Sequence, residues 1–184
     1  MPAPDALELT ALLDRFERPL VRYAQSITGD LESARDVVQE TFIKLARGGM
    51  NSSTSEGGDR TRHIEAWLFT VTRNRALDHQ RKFSRIIPMP LPEDRPCAAP
   101  GPAAVLEQQE SASALFRLLD ALSPNQREVI RLKFQNDLSY REIAEVTRLS
   151  VSNVGFLLHT GLKKLRELLR EQAPEDFDLS RSVL

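Results

Sequence analysis

The sequence predicts an all-α protein made of two small helical domains joined by a proline-rich linker. Three observations carry that prediction. Apolar residues recur three and four apart on both sides of the chain's centre, and no run of alternating β-branched residues appears. Six of the eleven prolines, Pro88, Pro90, Pro92, Pro96, Pro100 and Pro102, crowd into one stretch, where fixed backbone angles and missing amide donors exclude a helix or a central strand. A chain of 184 residues is long enough for two small domains, each with a modest core. The expected division is residues 1–85, a linker at 86–103, residues 104–172, and an acidic tail at 173–184.

The elements follow in order. Leu9, Leu12, Leu13, Phe16, Leu20, Tyr23, Ala24 and Ile27 form one apolar stripe, which ends near Gly29. Asp30 can cap a second helix, whose stripe is Ala34, Val37, Val38, Thr41, Phe42 and Leu45. A polar, glycine-rich loop at 48–62 precedes a third helix that begins near Arg62 and turns Ile64, Trp67, Leu68, Val71 and Leu77 inward. The second half holds four helical segments, the first carrying Leu106, Leu115, Leu118, Leu119 and Leu122. Ser123-Pro124-Asn125-Gln126 combines an N-cap serine, a proline at the first helical position and a glutamine at the third, which together form a capping box. Ser139-Tyr140-Arg141-Glu142 repeats the device, and Ser150 opens the last helix after a turn of about four residues from Thr147.

No stretch approaches the roughly 20 apolar residues that cross a bilayer, so no membrane insertion is expected. Met1-Pro2-Ala3-Pro4-Asp5 lacks the basic flank and apolar run of a secretory signal, and the expected place is the cytoplasm. One cysteine, Cys97, excludes an internal disulfide or a multi-cysteine zinc site. His63, His79 and His159 have no second ligand at helical or turn spacing, and no phosphate loop, nucleophile elbow or catalytic triad order appears. Neither a metal, a cofactor nor catalysis is expected.

The formal net charge of -1 hides a segregation. Residues 60–85 hold seven basic and two acidic side chains, whereas residues 1–46 hold five basic and eight acidic ones. Some faces are therefore suited to phosphate and others to a basic protein surface. The segment from Leu138 to Val154 has the layout of a helix-turn-helix, with Ile143, Ala144, Leu149, Val151 and Val154 holding two helices at a steep angle. Ser152 and Asn153 would then face base edges, and Arg141 phosphate.

Two blocks carry a resemblance. Leu122-Ser123-Pro124-Asn125-Gln126-Arg127-Glu128-Val129-Ile130-Arg131-Leu132, followed by Ser139-Tyr140-Arg141-Glu142-Ile143-Ala144, resembles region 4 of a sigma factor. Ala34-Arg35-Asp36-Val37-Val38-Gln39-Glu40-Thr41-Phe42-Ile43-Lys44-Leu45 resembles region 2.2, and the run from Ala66 to Lys82 resembles regions 2.3 and 2.4. The order and the chain length point to the compact extracytoplasmic-function class. The resemblance implies a non-catalytic factor that directs core RNA polymerase to promoter DNA, with an anti-sigma factor as a further partner and a place on the nucleoid through polymerase.

The resemblance assigns polymerase binding to Asp36, Gln39, Glu40 and Phe42, where helical spacing gathers two carboxylates around an amide. Minus-ten recognition and melting fall to Arg73, Asn74, Arg75, Asp78, Arg81 and Lys82, with a base pocket in the loop at 48–62. Trp67 is a candidate stacking platform, but its spacing with Ile64, Leu68 and Val71 places it in the core. Minus-thirty-five binding falls to Arg141, Ser152, Asn153, His159, Lys163 and Lys164. The last helix departs from the family pattern, because Gly155 and Leu157 remove two expected phosphate contacts. Either duplex binding leans on Arg141, His159, Lys163 and Lys164, or the exposed apolar side chains meet a protein partner. The rival reading is a helix-turn-helix regulator that binds duplex DNA without polymerase and usually as a symmetric dimer.

Overall fold

A computed structural model of the chain describes residues 6–48, 60–86 and 118–172. Most of the loop at 48–62, the linker from 87 onward with Cys97, the helix expected to carry Leu106 and Leu115, and the tail at 173–184 lie outside the described residues. Among the described residues there are six full helices and no strand. They are α1 (Ala6–Thr28), α2 (Leu31–Ala46), α3 (Arg60–Ile86), α4 (Pro124–Phe134), α5 (Tyr140–Thr147) and α6 (Val151–Gln172).

Among the described residues, packing groups those within Met1–Arg95 and Arg131–Val151 in one compact unit, and those within Pro96–Ile130 and Ser152–Leu184 in another. In the first unit α1, α2 and α3 pack on one another, and α3 also packs on α5. Leu12, Phe16, Leu20, Tyr23 and Ala24 of α1 are buried, four and three residues apart as one helical face requires. The chain turns at Gly29, which adopts a left-handed φ of 86° open to glycine at no steric cost. Asp30 then caps α2 by accepting a bond from the Ser33 amide at 2.7 Å. Burial alone would raise the Asp30 carboxyl, but the Ser33 hydrogen bonds and the charge of His79 outweigh it, and the net shift is downward.

The buried residues of α2 are Ala34, Val37, Val38, Thr41, Phe42 and Leu45, the whole of the expected stripe. Helix α3 differs from expectation. Ile64, Leu68 and Val71 are buried, but so are Ala66, Phe69, Thr72 and Ala76, while Trp67 and Leu77 are only half-buried. Neighbours on several sides explain the wider burial, since a helix flanked by α1, α2 and α5 has no single solvent face over its middle turns. Phe69 is fully buried with its ring edge-on to Tyr23 at 5.4 Å between centroids. Thr72 and Thr41, both fully buried, meet across the α2–α3 seam at 3.4 Å, and Thr41 donates to the Val37 carbonyl. Two hydroxyls are thus satisfied where an unpaired one would be costly.

In the second unit the Ser123–Gln126 capping box is present in both directions, with Gln126 N donating to Ser123 Oγ and Ser123 N to Gln126 Oε1. Arg127 clamps the preceding turn. It pairs with the Asp120 carboxylate at 2.8 Å and donates to the Asp120 and Leu122 carbonyls. Gly161 of α6 lies so close to α4 that a Cβ there would meet Ile130 Cδ1 at 2.9 Å, and Gln126 donates to the Thr160 hydroxyl beside it. Much of the region-4-like motif therefore has a structural task.

Candidate docking and nucleic-acid surfaces

With one face of α2 committed to the core, Asp36, Gln39 and Glu40 stand exposed on the other side, spaced so that they form one patch. Phe42, expected on that patch, is 6% exposed and belongs to the core. It shares the buried stripe with Val38 and Leu45, so any effect on a partner would pass through the position of α2. Ile43, at 43% exposure, is the apolar residue that the helix offers to solvent beside Gln39 and Glu40.

Glu40 accepts a hydrogen bond from Arg75 of α3 in an ion pair. That contact joins two groups assigned to different tasks, thirty-five residues apart in sequence, and helical spacing within either element could not reveal it. Further along α3, Arg81 and Asp78 stand 3.5 Å apart at the spacing of one turn, both well exposed. Lys82 is exposed as well, whereas Arg73, Asn74 and Arg75 are half-buried. His79 and Phe83 stack at 4.7 Å between centroids on the same stretch. The Lys44 ammonium lies 5.9 Å from the centre of the Trp67 ring, a cation–π distance that leaves this half-buried ring partnered within its own unit.

The helix-turn-helix segment has α5 and α6 separated by Arg148, Leu149 and Ser150. Ser139 and Glu142 make both bonds of the capping box at the start of α5. At its end Arg148 takes a left-handed φ of 60°, and its amide donates to the Ala144 carbonyl, a common helix stop. Ile143, Ala144 and Val154 are buried, Leu149 is half-buried, and Val151 is 46% exposed and not part of the core. The last helix runs to 22 residues. Arg141, Ser152, Asn153, His159, Lys163 and Lys164 are all exposed. Lys164 turns back to donate to the Ala121 carbonyl, and Lys163 is 4.0 Å from Glu167. Helical spacing thus brings Ser152, Asn153 and His159 to one side of α6.

Among the described residues no three His, Cys, Asp or Glu side chains gather as a metal site would need, and no helix is long and apolar enough to cross a membrane.

Two family models match the chain, one for sigma-70 region 2 over residues 12–86 and one for sigma-70, region 4 over residues 112–165. The extracytoplasmic-function RNA polymerase sigma factor SigL of Mycobacterium tuberculosis is 33% identical over 179 residues, which cover 92% of this chain and 93% of that protein. The sigma factor SigE of Mycolicibacterium smegmatis is 31% identical over 157 residues, 84% of this chain but 58% of that longer protein. Among solved structures, CnrH in complex with the cytosolic domain of CnrY matches with a TM-score of 0.60 and 27% identity over 92% of both chains. The sigma factor RpoE of Bartonella quintana, solved with the anti-sigma factor NepR, shares the fold at a TM-score of 0.64 and 23% identity, over 89% of this chain and 98% of that one.

Proposed function

Since the chain belongs to the extracytoplasmic-function RNA polymerase sigma factors of the sigma-70 family, we propose that the exposed face of α2 docks on core polymerase while α3 captures the melted minus-ten element. Residues 1–85 perform both tasks. Residues 104–172 then hold the minus-thirty-five element through Arg141 and the exposed face of α6. The loop at 48–62 supplies the pocket for an unstacked base, a contact worth roughly 1–3 kcal/mol per base.

The observation that carries this reading is the seam between α2 and α3. The acid–amide patch Asp36, Gln39, Glu40 and the cationic stretch from Arg73 to Lys82 sit on helices locked together by the Thr41–Thr72 contact and bridged by Glu40–Arg75. A docking surface and a strand-binding surface on one rigid pair let polymerase orient the second when it grips the first. The protein contributes geometry and charge, not a reacting group, and acts as a non-catalytic factor in the cytoplasm with polymerase on the nucleoid. An anti-sigma factor is a fitting regulator, of the kind with which the structurally similar RpoE was solved.

Asp36→Arg together with Glu40→Arg tests the docking face. The expected result is loss of co-purification with core polymerase at an unchanged helical circular dichroism spectrum; undiminished binding would refute the assignment of α2. Arg73→Ala should weaken open-complex formation in run-off transcription without a matching loss of thermal stability. Tight binding of a duplex promoter by the chain alone, as a symmetric dimer, would favour the regulator reading instead.

A further inference from the structure

Between Val151 and Arg166 the last helix carries no acidic side chain, and its charges are Lys163, Lys164 and Arg166. Over that stretch Ser152, Asn153, Phe156, His159 and Lys163 are exposed, whereas Val154, Leu158 and Gly161 are buried. Spacings of three and four place these five of the exposed residues on one face. Phe156, 63% exposed, stands in the middle of it.

A single apolar side chain on a surface is ordinary, but the setting of this one is specific. It is flanked on one side by a hydroxyl and an amide at the helix start, and on the other by an imidazole and an ammonium, groups that suit bases and phosphates. Its neighbours leave it unshielded. Gly155 has no side chain to cover the ring, and Thr160, one turn on, donates to the Phe156 carbonyl and accepts from Gln126, so its hydroxyl is engaged within the unit. A phenyl ring can neither donate nor accept a hydrogen bond. In the major groove one base-edge feature rewards such a group, the 5-methyl of thymine.

We propose that Phe156 is a specificity residue that packs against a thymine methyl in the upstream promoter element, with Ser152, Asn153 and His159 around it. The proposal rests on the reading of α6 as the helix that enters duplex DNA. It gives a recognition helix with glycine at 155 and leucine at 157 a means of reading sequence without basic side chains at those positions. The ring exchanges charge-based grip for a methyl contact that depends on shape and base identity.

The test uses holoenzyme reconstituted from core polymerase and the full chain. Selection from a promoter library with a randomised upstream element should return one thymine whose preference Phe156→Ala loses and Phe156→Leu partly keeps. Replacing that thymine by deoxyuridine in a selected promoter removes only the methyl. Wild-type holoenzyme should then bind roughly four-fold more weakly, the value of one buried methyl-sized group, while the Phe156→Ala holoenzyme should not distinguish the two promoters. Wild type indifferent to deoxyuridine at every selected thymine, or Phe156→Ala with undiminished discrimination, would overturn the role of Phe156 while leaving α6 as a duplex reader. A library returning no upstream preference at all would overturn the duplex reading of α6 and this proposal with it. Loss of core polymerase affinity in Phe156→Ala, with promoter choice unchanged, would assign the ring to a protein surface instead.

Discussion

Helices α3 and α6 are both assigned to promoter DNA, yet they present opposite surfaces. On α3 the cations are numerous and largely engaged: Arg75 pairs with Glu40, and Arg81 stands beside Asp78. The helix is also built into a core that takes Phe69, Thr72 and Ala76 as well as Ile64, Leu68 and Val71 of the expected stripe. On α6 the first turns offer hydroxyl, amide and phenyl groups, while Lys164 is drawn back to the Ala121 carbonyl. The difference teaches that a count of basic residues measures neither readiness for phosphate nor the mode of reading. A strand that has already been opened can be held by charge on a rigid helix, whereas an intact duplex has to be distinguished at its base edges.

Two phenylalanines sharpen the contrast most. Phe69→Ala removes a fully buried ring in contact with Tyr23, and the loss of transfer energy plus the cavity should cost about 3–5 kcal/mol. Phe156→Ala removes a ring that is mostly in water and should change stability by no more than about 0.5 kcal/mol. Urea unfolding of the two variants reads both numbers. A large loss for Phe156→Ala would show that the ring is a packing residue and would break the comparison.

The capping box of α5 comes next. An eight-residue helix has little stability of its own, so its start depends on Ser139 and Glu142 exchanging two bonds. Ser139→Ala deletes the acceptor for the Glu142 amide and should cost about 1 kcal/mol, read as an earlier denaturation midpoint. Promoter binding should weaken with it, because Arg141 sits in the turn that the cap holds. The same substitution tells whether the helix-turn-helix is a preformed reading head or one that DNA must order.

How much of this is legible in the sequence depends on how many neighbours an element has. Helix α2 buries one face, so its stripe of six and its Asp30 cap could be read from spacing and residue type alone. Helix α3 has company on several sides, and a single-face reading therefore missed Phe69, Thr72 and Ala76 and overrated Trp67 and Leu77. Pairs distant in sequence were invisible for a different reason. Nothing local to Glu40 announces Arg75, nor does Thr41 announce Thr72, because each partner is set by the crossing of two helices. Phe42 shows the converse error: its place in a docking motif suggested a contact residue, while its own spacing with Val38 and Leu45 already placed it inside. The capping serines were readable because their chemistry is complete within four residues.

The smallest expected effect concerns Glu65, where α3 and α5 meet. Burial raises the pKa of its carboxyl above the usual glutamate range; nearby Glu142 and Asp137 push the same way, and Arg15 and Arg62 oppose them. The folded chain therefore binds this proton more tightly than the unfolded one. Stability must fall as pH rises from the ordinary glutamate value, about 4.3, through the raised folded value, and the penalty stays in place at pH 7. Glu65→Gln removes the charge and should melt slightly higher than wild type at pH 7, by well under about 1 kcal/mol because much of the side chain meets water. The two proteins should converge below about pH 4, where Glu65 is protonated in both states. A variant that instead melts lower at pH 7 would mean that attraction to Arg15 and Arg62 outweighs burial and the two acids. The site would then resemble the paired charges further along α3, not a strained exception to them.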